Sequence, residues 1–159
     1  MNRIGFGEDI HRLVEGRPLI LGGIEIPFGK GLLGHSDGDA LLHAISDALL
    51  GALALGDIGA HFPPSDPSIE GIDSKKILAY CAEIARKKGY EIVNIDANVV
   101  TEEPKLRPYV DAIRVSIAAT LGIEVARVSV KAKTNEGLGP VGEGRAIRCN
   151  AVALLSGGE

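Results

Sequence analysis

The segment GDALLHAISDALLGALA, residues 38–54, decides the fold of this chain. Leucine, isoleucine and alanine fill most of its positions, so a helix formed here is apolar over most of its circumference, and such a helix is buried. Ser36 and Asp37 are candidate N-caps just before it, and Gly56 stands near its end. The sequence therefore predicts a buried helix over about 38–54.

One polar stripe interrupts this apolar surface. Asp39, His43 and Asp47 recur at positions i, i+4 and i+8, which lie on one face of a helix. Buried polar groups need partners. A metal on His43, with Asp39 or Asp47 holding the other ring nitrogen, would supply them. A hydrogen-bonded core histidine is the alternative that this segment alone leaves open.

A second polar group lies N-terminal to the helix. Residues 3–11, RIGFGEDIH, are predicted to form a strand, in which Asp9 and His11 project to the same face. Together with His43 they make two imidazoles and one carboxylate, a ligand set of catalytic zinc sites whose fourth position stays open. The alternative is half-buried histidines beside a solvated aspartate. Three of the four histidines fall between positions 11 and 43, which favours the metal site.

The remaining elements predict the fold class. The predicted strands and helices follow one another in the order β-β-α-α-β-α-β-β, which indicates the α+β class. We expect a single domain, residues 1–159, with a mixed or antiparallel sheet and three main helices. A glycine pair breaks the second strand and suggests a bend or bulge. The predicted strands are 3–11, 18–27, 91–100, 125–133 and 145–155, and the further helices are 74–88 and 107–121.

Composition excludes several classes of function. A net charge of −4 argues against nucleic acid as a partner, because phosphate binding needs a basic face. No apolar run approaches the ~18 residues of a membrane span, and the N-terminal residues lack the apolar core of a signal peptide. Cys81 and Cys149 are far apart without metal spacing. We expect both to be reduced core residues of a cytoplasmic protein without a membrane partner.

Two segments near the helix are candidates for phosphate contacts. His35 and Ser36 precede the helix, whose N-terminal N–H groups and dipole are predicted to form an anion site. Residues 56–59, GDIG, follow its other end. This second segment is either a structural C-cap or a loop that faces a ligand, and spacing alone does not decide between them.

A glycine-rich stretch later in the chain also carries chemistry. Residues 131–139, KAKTNEGLG, lack the Walker A pattern. Lys133, Thr134 and Glu136 nevertheless offer a cation, a hydroxyl and a carboxylate, as suits magnesium on a phosphate. The loop 101–108 adds two cations. The alternatives are a polar hairpin turn and a solvated connection.

Several motifs resemble the 2-C-methyl-D-erythritol 2,4-cyclodiphosphate synthase family, from Arg3 to about Leu155. The motifs that carry the resemblance are RIGFGEDIH at 3–11, GLLGHSDGD at 31–39, LHAISDALLGA at 42–52, LGDIG at 55–59, FPPSDP at 62–67, PKL at 104–106 and VKAKTNEGLG at 130–139. The chain departs from the family pattern at Pro64, Pro140 and Glu143, and none of these positions belongs to the ligand set.

The resemblance implies a reaction and its cofactors. The 2-phosphate of 4-diphosphocytidyl-2-C-methyl-D-erythritol 2-phosphate attacks the β-phosphate, closes a ring and expels CMP, as part of the non-mevalonate isoprenoid pathway. Asp9, His11 and His43 match the family's ligands for one zinc ion per subunit. Glu136 matches the ligand of a second divalent cation, magnesium or manganese, that accompanies the substrate.

The resemblance also implies catalytic and binding residues. His35 and Thr134 match the residues that stabilise the transition state. The other matches bind the substrate, around the methylerythritol phosphate (Ser36, Asp57, Ile58, Gly59, Phe62 and Asp66) and around the cytosine nucleotide (Thr101, Pro104, Lys105, Leu106, Arg107, Ala132 and Lys133).

A homotrimer is implied as well, with sheets toward its axis and active sites between subunits. The sequence lends independent support, since the 38–54 helix is apolar nearly all round and strand 151–155, AVALL, is apolar on both faces. Both features need more cover than one small domain easily provides. The alternative is that helix and strand are central in the core of one chain.

Two other functions remain open at this level. A zinc hydrolase would use metal-bound water, although the chain lacks HExxH and an evident general base. A metal-stabilised structural or binding protein would need a closed site with four protein ligands. The fourth ligand would then be His61 or a cysteine, and neither stands at ligand spacing.

Overall fold

A computed structural model describes residues 1–157. Residues 158 and 159, to which the predicted domain extends, lie outside the described part. The elements in chain order are β1 (Asn2–Glu15), β2 (Leu19–Leu21), β3 (Ile24–Ile26), β4 (Lys30–Leu32), α1 (Ala40–Ala52), α2 (Ile58–His61), α3 (Ser74–Lys87), β5 (Tyr90–Val100), α4 (Val110–Leu121), β6 (Val128–Lys133), α5 (Gly139–Gly142) and β7 (Ala146–Gly157).

The main sheet has five strands in the order β4-β1-β7-β5-β6. All neighbouring pairs are antiparallel except β5 and β6, which run parallel. The predicted α+β class with a mixed sheet is therefore confirmed. The three long helices match the predicted ones, while the short helices α2 and α5 were not predicted. Within residues 1–157, the structure has no helix both long and apolar enough to cross a membrane.

Helix α1 lies directly on the centre of this sheet. Its apolar side chains are buried within one chain, so its apolar circumference needs no partner subunit. Strand β1 approaches it closely because Gly5 and Gly7 face it. A Cβ at Gly5 would lie 1.7 Å from the Ala48 carbonyl oxygen, and a Cβ at Gly7 would lie 2.0 Å from that of Ala44. These glycines are required for the close approach of backbone to backbone.

Two local features differ from the prediction. Residues 18–27 form no continuous strand but the hairpin β2–β3, because Gly22 and Gly23 both have positive φ, +63° and +80°, and make a tight turn. Strand β4, which contains Gly31 and pairs with β1, was not predicted. The predicted C-terminus of α4 is confirmed, since Gly122 ends the helix at φ +66°.

The cap of α1 also differs from the prediction. Asp39, rather than Ser36 or Asp37, is the N-cap residue, and its carboxylate accepts a hydrogen bond from Leu42 N at 3.0 Å. The same carboxylate accepts from Gly22 N and Gly23 N at 3.0 and 2.7 Å. Asp39 therefore joins the β2–β3 turn to the start of α1. Burial raises its pKa to about 6, although these three N–H groups oppose the shift.

Candidate active site with a three-ligand metal centre

Asp9, His11 and His43 meet where β1 crosses α1. Asp9 Oδ2 lies 2.7 Å from His11 Nε2 and 2.9 Å from His43 Nδ1, and the two ring nitrogens are 3.4 Å apart. Asp9 Oδ1 accepts from the Ile10 N–H, which turns Oδ2 toward the histidines. The predicted convergence of these three side chains is confirmed, with ligand atoms within 4.8 Å of one another.

The proton positions around His11 show that this group fits a metal. His11 Nδ1 lies 2.7 Å from the Leu33 carbonyl oxygen, which can only accept, so Nδ1 carries the proton. In a neutral ring, Nε2 then presents a lone pair to Asp9 Oδ2 at 2.7 Å. Lone pairs on His11 Nε2 and Asp9 Oδ2 repel each other at this distance unless a cation lies between them. A divalent metal ion can bind both atoms.

The electrostatics of the cluster agree with this reading. Burial opposes the charged form of Asp9, but the two imidazoles beside it, His11 and His43, outweigh burial and hold its pKa at about 2. Burial likewise opposes the charged form of His11, while the hydrogen bond and charge of Asp9 raise its pKa. Without a metal, Asp9 therefore favours a proton on His11 in the place that the cation would take.

His43 is held by hydroxyls and not by the predicted aspartates. Its Nε2 lies 3.0 Å from Ser36 Oγ and 2.9 Å from Ser74 Oγ. Asp39 caps α1 instead, and Asp47 Oδ1 accepts from Ile58 N at 2.8 Å, which fixes the start of α2. The polar stripe of α1 was thus correctly predicted, but two of its members stabilise neighbouring backbone.

The predicted anion site at the N-terminus of α1 was also wrong. The Asp39 carboxylate already occupies this end of the helix, and residues 40–42 are at most 1 % exposed. Its N–H groups therefore do not face a ligand. His35 and Ser36 reach the site from the preceding loop, which Arg17 holds through the carbonyl oxygens of Gly34 and Ser36 at 3.3 and 2.9 Å.

A pocket of about 210 Å³ opens beside the three ligands. Of the predicted residues it includes His35, Ser36, Ile58, Gly59 and Phe62, so Ile58 and Gly59 of the segment 56–59 face this pocket. Pro64, which stands in the FPPSDP motif at 62–67, lines it as well. Three further apolar wall residues were not predicted, because their sequence pattern is that of ordinary core residues: Ile69, Ile72 and Ile77.

Two predicted substrate residues serve as caps at the rim of this region. Asp57 Oδ1 accepts from Ala60 N at 3.0 Å at the start of α2, and Asp66 Oδ1 accepts from Ser68 N at 2.9 Å. His61 is held by Leu55 O and the Tyr80 hydroxyl, at 3.0 and 3.2 Å, so both ring nitrogens are engaged. Neither aspartate lines the pocket, and their contact with substrate stays a prediction.

The predicted nucleotide residues form a second pocket, of about 350 Å³. Its walls come from the loop after β5 and from the end of β6: Thr101, Pro104, Lys105, Leu106, Arg107, Ala132, Lys133 and Thr134. Glu136 follows on the next turn, where its N–H donates to Thr134 Oγ1 at 3.3 Å. Glu102 Oε1 holds this turn by accepting from Asn135 N at 2.8 Å. Sequence analysis did not identify that contact.

The cysteines and His61 supply no fourth ligand among the described residues. Cys81 and Cys149 are buried free thiols, as predicted. Burial raises the pKa of Cys81 to about 12 and raises that of Cys149 well above its usual value, so both stay protonated. Within residues 1–157 the cluster thus offers three possible protein ligands, as in a catalytic site, and not the four of a structural one.

The fold and site together define an α+β protein with a three-ligand metal centre beside a pocket. The sequence matches the model of the YgbB family over residues 2–156, and the chain belongs to that family. A curated relative from Gloeobacter violaceus, a 2-C-methyl-D-erythritol 2,4-cyclodiphosphate synthase, is 61% identical over 153 residues, which cover 96% of this chain and 94% of the relative. The resemblance inferred from the sequence is thereby confirmed.

Solved structures have the same fold. One is a 2C-methyl-D-erythritol-2,4-cyclodiphosphate synthase in a CDP-bound form, with a TM-score of 0.90 and 40% identity, covering 97% of this chain and 100% of that chain. Another is the bifunctional IspDF from Campylobacter jejuni, with a TM-score of 0.95 and 38% identity over 99% of this chain. This chain spans 42% of the length of that bifunctional protein.

Proposed function

We propose that this chain converts 4-diphosphocytidyl-2-C-methyl-D-erythritol 2-phosphate into 2-C-methyl-D-erythritol 2,4-cyclodiphosphate and CMP. An oxygen of the substrate's 2-phosphate forms a new bond to the β-phosphorus, and the bond from that phosphorus to the CMP oxygen breaks. The 61%-identical relative is named for this product, and the predicted enzyme class is confirmed. The reaction belongs to the non-mevalonate route to isoprenoids, which we place in the cytoplasm.

The observation that carries this proposal is the three-ligand centre at the wall of a pocket. The substrate brings its own nucleophile, so the protein has to position two phosphates and neutralise their charge. A zinc ion on Asp9, His11 and His43 would polarise a phosphate oxygen at its open fourth position. His35 and Ser36 line the same wall and would donate hydrogen bonds to phosphate oxygens.

The rest of this pocket suits the methylerythritol portion. Ile58, Gly59 and Phe62 present an apolar surface to the carbon skeleton and its methyl group. Asp57 and Asp66, at the rim, would accept hydrogen bonds from its hydroxyl groups. The apolar walls also exclude water, which would otherwise compete with the 2-phosphate for the β-phosphorus.

The second pocket suits the cytidine nucleotide. Lys105, Arg107 and Lys133 line it and provide positive charge for the diphosphate. Backbone and apolar contacts for the base come from Thr101, Pro104, Leu106 and Ala132. A 40%-identical relative is described in its CDP-bound form, which supports a cytidine nucleotide here. Thr134 would stabilise the charge that develops at the β-phosphate.

Glu136 is proposed as the protein ligand of a second cation, magnesium or manganese. It lies beside Thr134 on an exposed turn, and its carboxylate is a hard oxygen ligand of the kind that these ions prefer. The ion would arrive with the substrate, because a single carboxylate leaves most of its coordination to phosphates and water.

The two pockets lie far apart within one chain. In the sheet, Asp9 pairs with Cys149, Cys149 with Val99, and Val99 with Ala132. Three inter-strand steps of about 4.8 Å separate Asp9 from Ala132 by roughly 14 Å. Cys149 and Val99 between them are fully buried, at 0 % exposure. A substrate that bridges both pockets therefore needs the nucleotide pocket of a second subunit.

The uncovered face of the sheet supports assembly into a homotrimer with this face toward the axis. Helix α1 covers one face, while the other exposes apolar side chains of β1 and β7: Ile4, Phe6, Ile10 and Val152, at 42 to 73 %. They lie on one face because β1 residues alternate and Phe6 pairs directly with Val152. Ile4, Phe6 and Val152 are neighbours on this face, while Glu8 and Asn150 separate them from Ile10. Exposed apolar side chains grouped in this way are typical of an interface. A cyclic trimer would bury it and bring unlike pockets together.

Phosphorus NMR of the purified chain with the diphosphocytidyl substrate and magnesium tests the reaction. Formation of the cyclic diphosphate together with CMP is expected. An opened diphosphate with free phosphate would indicate the metal hydrolase instead. Unchanged substrate, in a chain shown to contain zinc, would indicate a structural or binding role.

A further inference from the structure

A buried series of hydrogen bonds runs from Asp37 through Ser74 to His43. Ser74 Oγ donates to Asp37 Oδ1 at 2.5 Å and lies 2.9 Å from His43 Nε2. Ser74 is fully buried at the first turn of α3, and His43 is 6 % exposed. Asp37 is itself fixed, because its carboxylate accepts from Ser74 N and Asp39 N at 3.0 and 3.1 Å.

Only one placement of the hydrogens satisfies both contacts of the Ser74 hydroxyl in this series. A serine hydroxyl has a single hydrogen, and Ser74 gives that hydrogen to Asp37. Toward His43, Ser74 Oγ can then only accept, so His43 Nε2 must carry the ring proton. In the neutral ring, Nδ1 is left with a lone pair, and Nδ1 is the atom that faces Asp9 and His11.

We propose that Ser74 and Asp37 are positioning residues that hold His43 in the tautomer whose Nδ1 binds the metal. The inference rests on the metal centre of the proposed function. Histidine ligands are commonly oriented by a partner on the second ring nitrogen, and loss of such a partner weakens metal binding. Here that partner is Ser74. Its hydroxyl accepts from the ring because it donates its own hydrogen to the Asp37 carboxylate.

Ser36 cannot fix the tautomer by itself. Its Oγ also lies near His43 Nε2, at 3.0 Å, and accepts from Gly38 N at 3.2 Å. No carboxylate takes its hydrogen in the described part of the chain, so this hydroxyl is able either to accept from the ring or to donate to it. The Asp37–Ser74 pair is what removes this freedom, and the Ser36 hydrogen remains available to the pocket that Ser36 lines.

Zinc affinity tests the proposal through Ser74→Ala. Competition with a chromophoric chelator should show a dissociation constant for zinc about 10–100-fold weaker than that of the unmodified chain. Ser46→Ala is the matched control, because Ser46 is equally buried, lies on α1, and donates only to the Leu42 carbonyl oxygen at 2.7 Å. The control should stay within about twofold of the unmodified chain.

The outcomes separate this inference from the metal centre itself. If Ser74→Ala binds zinc as tightly as Ser46→Ala does, the positioning role is wrong and the metal centre stands. If the unmodified chain binds no zinc, both are wrong.

The tautomer itself is measured on Asp9→Ala, because without a metal the Asp9 carboxylate also attracts a proton to His43 Nδ1. Long-range proton–nitrogen NMR of this variant at alkaline pH should show the ring proton of His43 on Nε2. The double variant Asp9→Ala with Ser74→Ala should show a mixture of both tautomers. A proton on Nδ1 in Asp9→Ala would overturn the proposal even if the double variant fails to fold.

Discussion

The two halves of the proposed site differ in how firmly one chain holds them. The metal half consists of the three ligands and the pocket beside them, and the nucleotide half consists of residues 101–107 and 132–136. In the metal half, Asp39, His43 and Ser74 are buried and every contact described above is made within the chain. In the nucleotide half, Lys105, Arg107, Lys133 and Glu136 are exposed. The proposed metal site is therefore formed by buried contacts within one chain, whereas the proposed nucleotide site consists of exposed loops.

The largest effect is expected from removing a ligand in the metal half. His43→Ala leaves two ligands and should abolish zinc binding, with kcat/KM reduced by about 10³-fold or more. Metal analysis and steady-state turnover measure the two effects. Zinc retained at one ion per chain would show that His43 is not a ligand.

Mixing variants of the two halves tests whether they meet across subunits. His43→Ala destroys the metal half, and Lys133→Glu destroys the nucleotide half. After full subunit exchange at equal amounts, a shared site is intact in about a quarter of cases, so about a quarter of the original activity should return. Activity that never exceeds that of the two parents would show that each chain contains a complete site.

The rigidity of the metal half depends on the contact between β1 and α1. Gly7→Ala would place a Cβ 2.0 Å from the Ala44 carbonyl oxygen and force the two backbones apart. We expect a loss on the order of 3 kcal/mol in the free energy of unfolding. Zinc affinity should fall with it, because Asp9 is two residues away on the same strand. Urea unfolding and zinc titration measure both.

Gly51→Ala is the matched control for this contact. Gly51 lies in α1, where a Cβ would be 3.7 Å from the Phe6 carbonyl oxygen, an ordinary contact. Alanine is the better helix former, so this variant should gain about 0.5–1 kcal/mol. Equal free energies of unfolding for Gly7→Ala and Gly51→Ala would mean that the close approach of β1 to α1 does not contribute to stability.

The buried Asp39 gives the metal half a dependence on pH. Its pKa is about 6 in the folded chain against 3.8 for an unperturbed aspartate, because burial outweighs its three N–H partners. Between these values the folded state binds more protons than the unfolded state, so this group lowers stability as pH rises. Relative to Asp39→Asn, the unmodified chain should lose about 3 kcal/mol in total as the pH rises through both pKa values, about 2 kcal/mol of it between pH 4 and 6. A constant difference between their urea midpoints across this range would contradict the assignment.

Sequence reasoning predicted what short-range periodicity determines. The helical spacing placed His43 on the polar stripe of α1, and strand alternation placed Asp9 and His11 on one face. The tight β2–β3 turn was missed because a Gly-Gly pair is compatible with both a bulge and a turn, and only the positive φ at Gly22 and Gly23 distinguishes them.

Contacts between distant segments were not predictable in this way. Ser74 reaches His43 from 31 positions away because α3 packs against α1, and no local pattern marks that meeting. Ile69, Ile72 and Ile77 line the pocket, although their sequence pattern is that of a core. In the nucleotide half, the residue types at 131–139 and 101–108 indicated contacts with phosphate and magnesium but left a polar turn as the alternative, and only the family motifs pointed to a nucleotide.

The smallest effect is expected in the nucleotide half, from Glu136→Gln. An amide is a poorer ligand for a hard cation than a carboxylate, so more magnesium should be needed for half-maximal turnover, by about 10–100-fold. Zinc content should not change, because Glu136 belongs to the opposite half of the site.

Glu143→Gln is the control, since Glu143 is equally exposed but pairs with Arg145 at 2.7 Å. Turnover measured against magnesium concentration, with zinc analysis in parallel, decides the matter. Loss of zinc in Glu136→Gln would show that the two halves are not independent, and an unchanged magnesium requirement would remove Glu136 from the site.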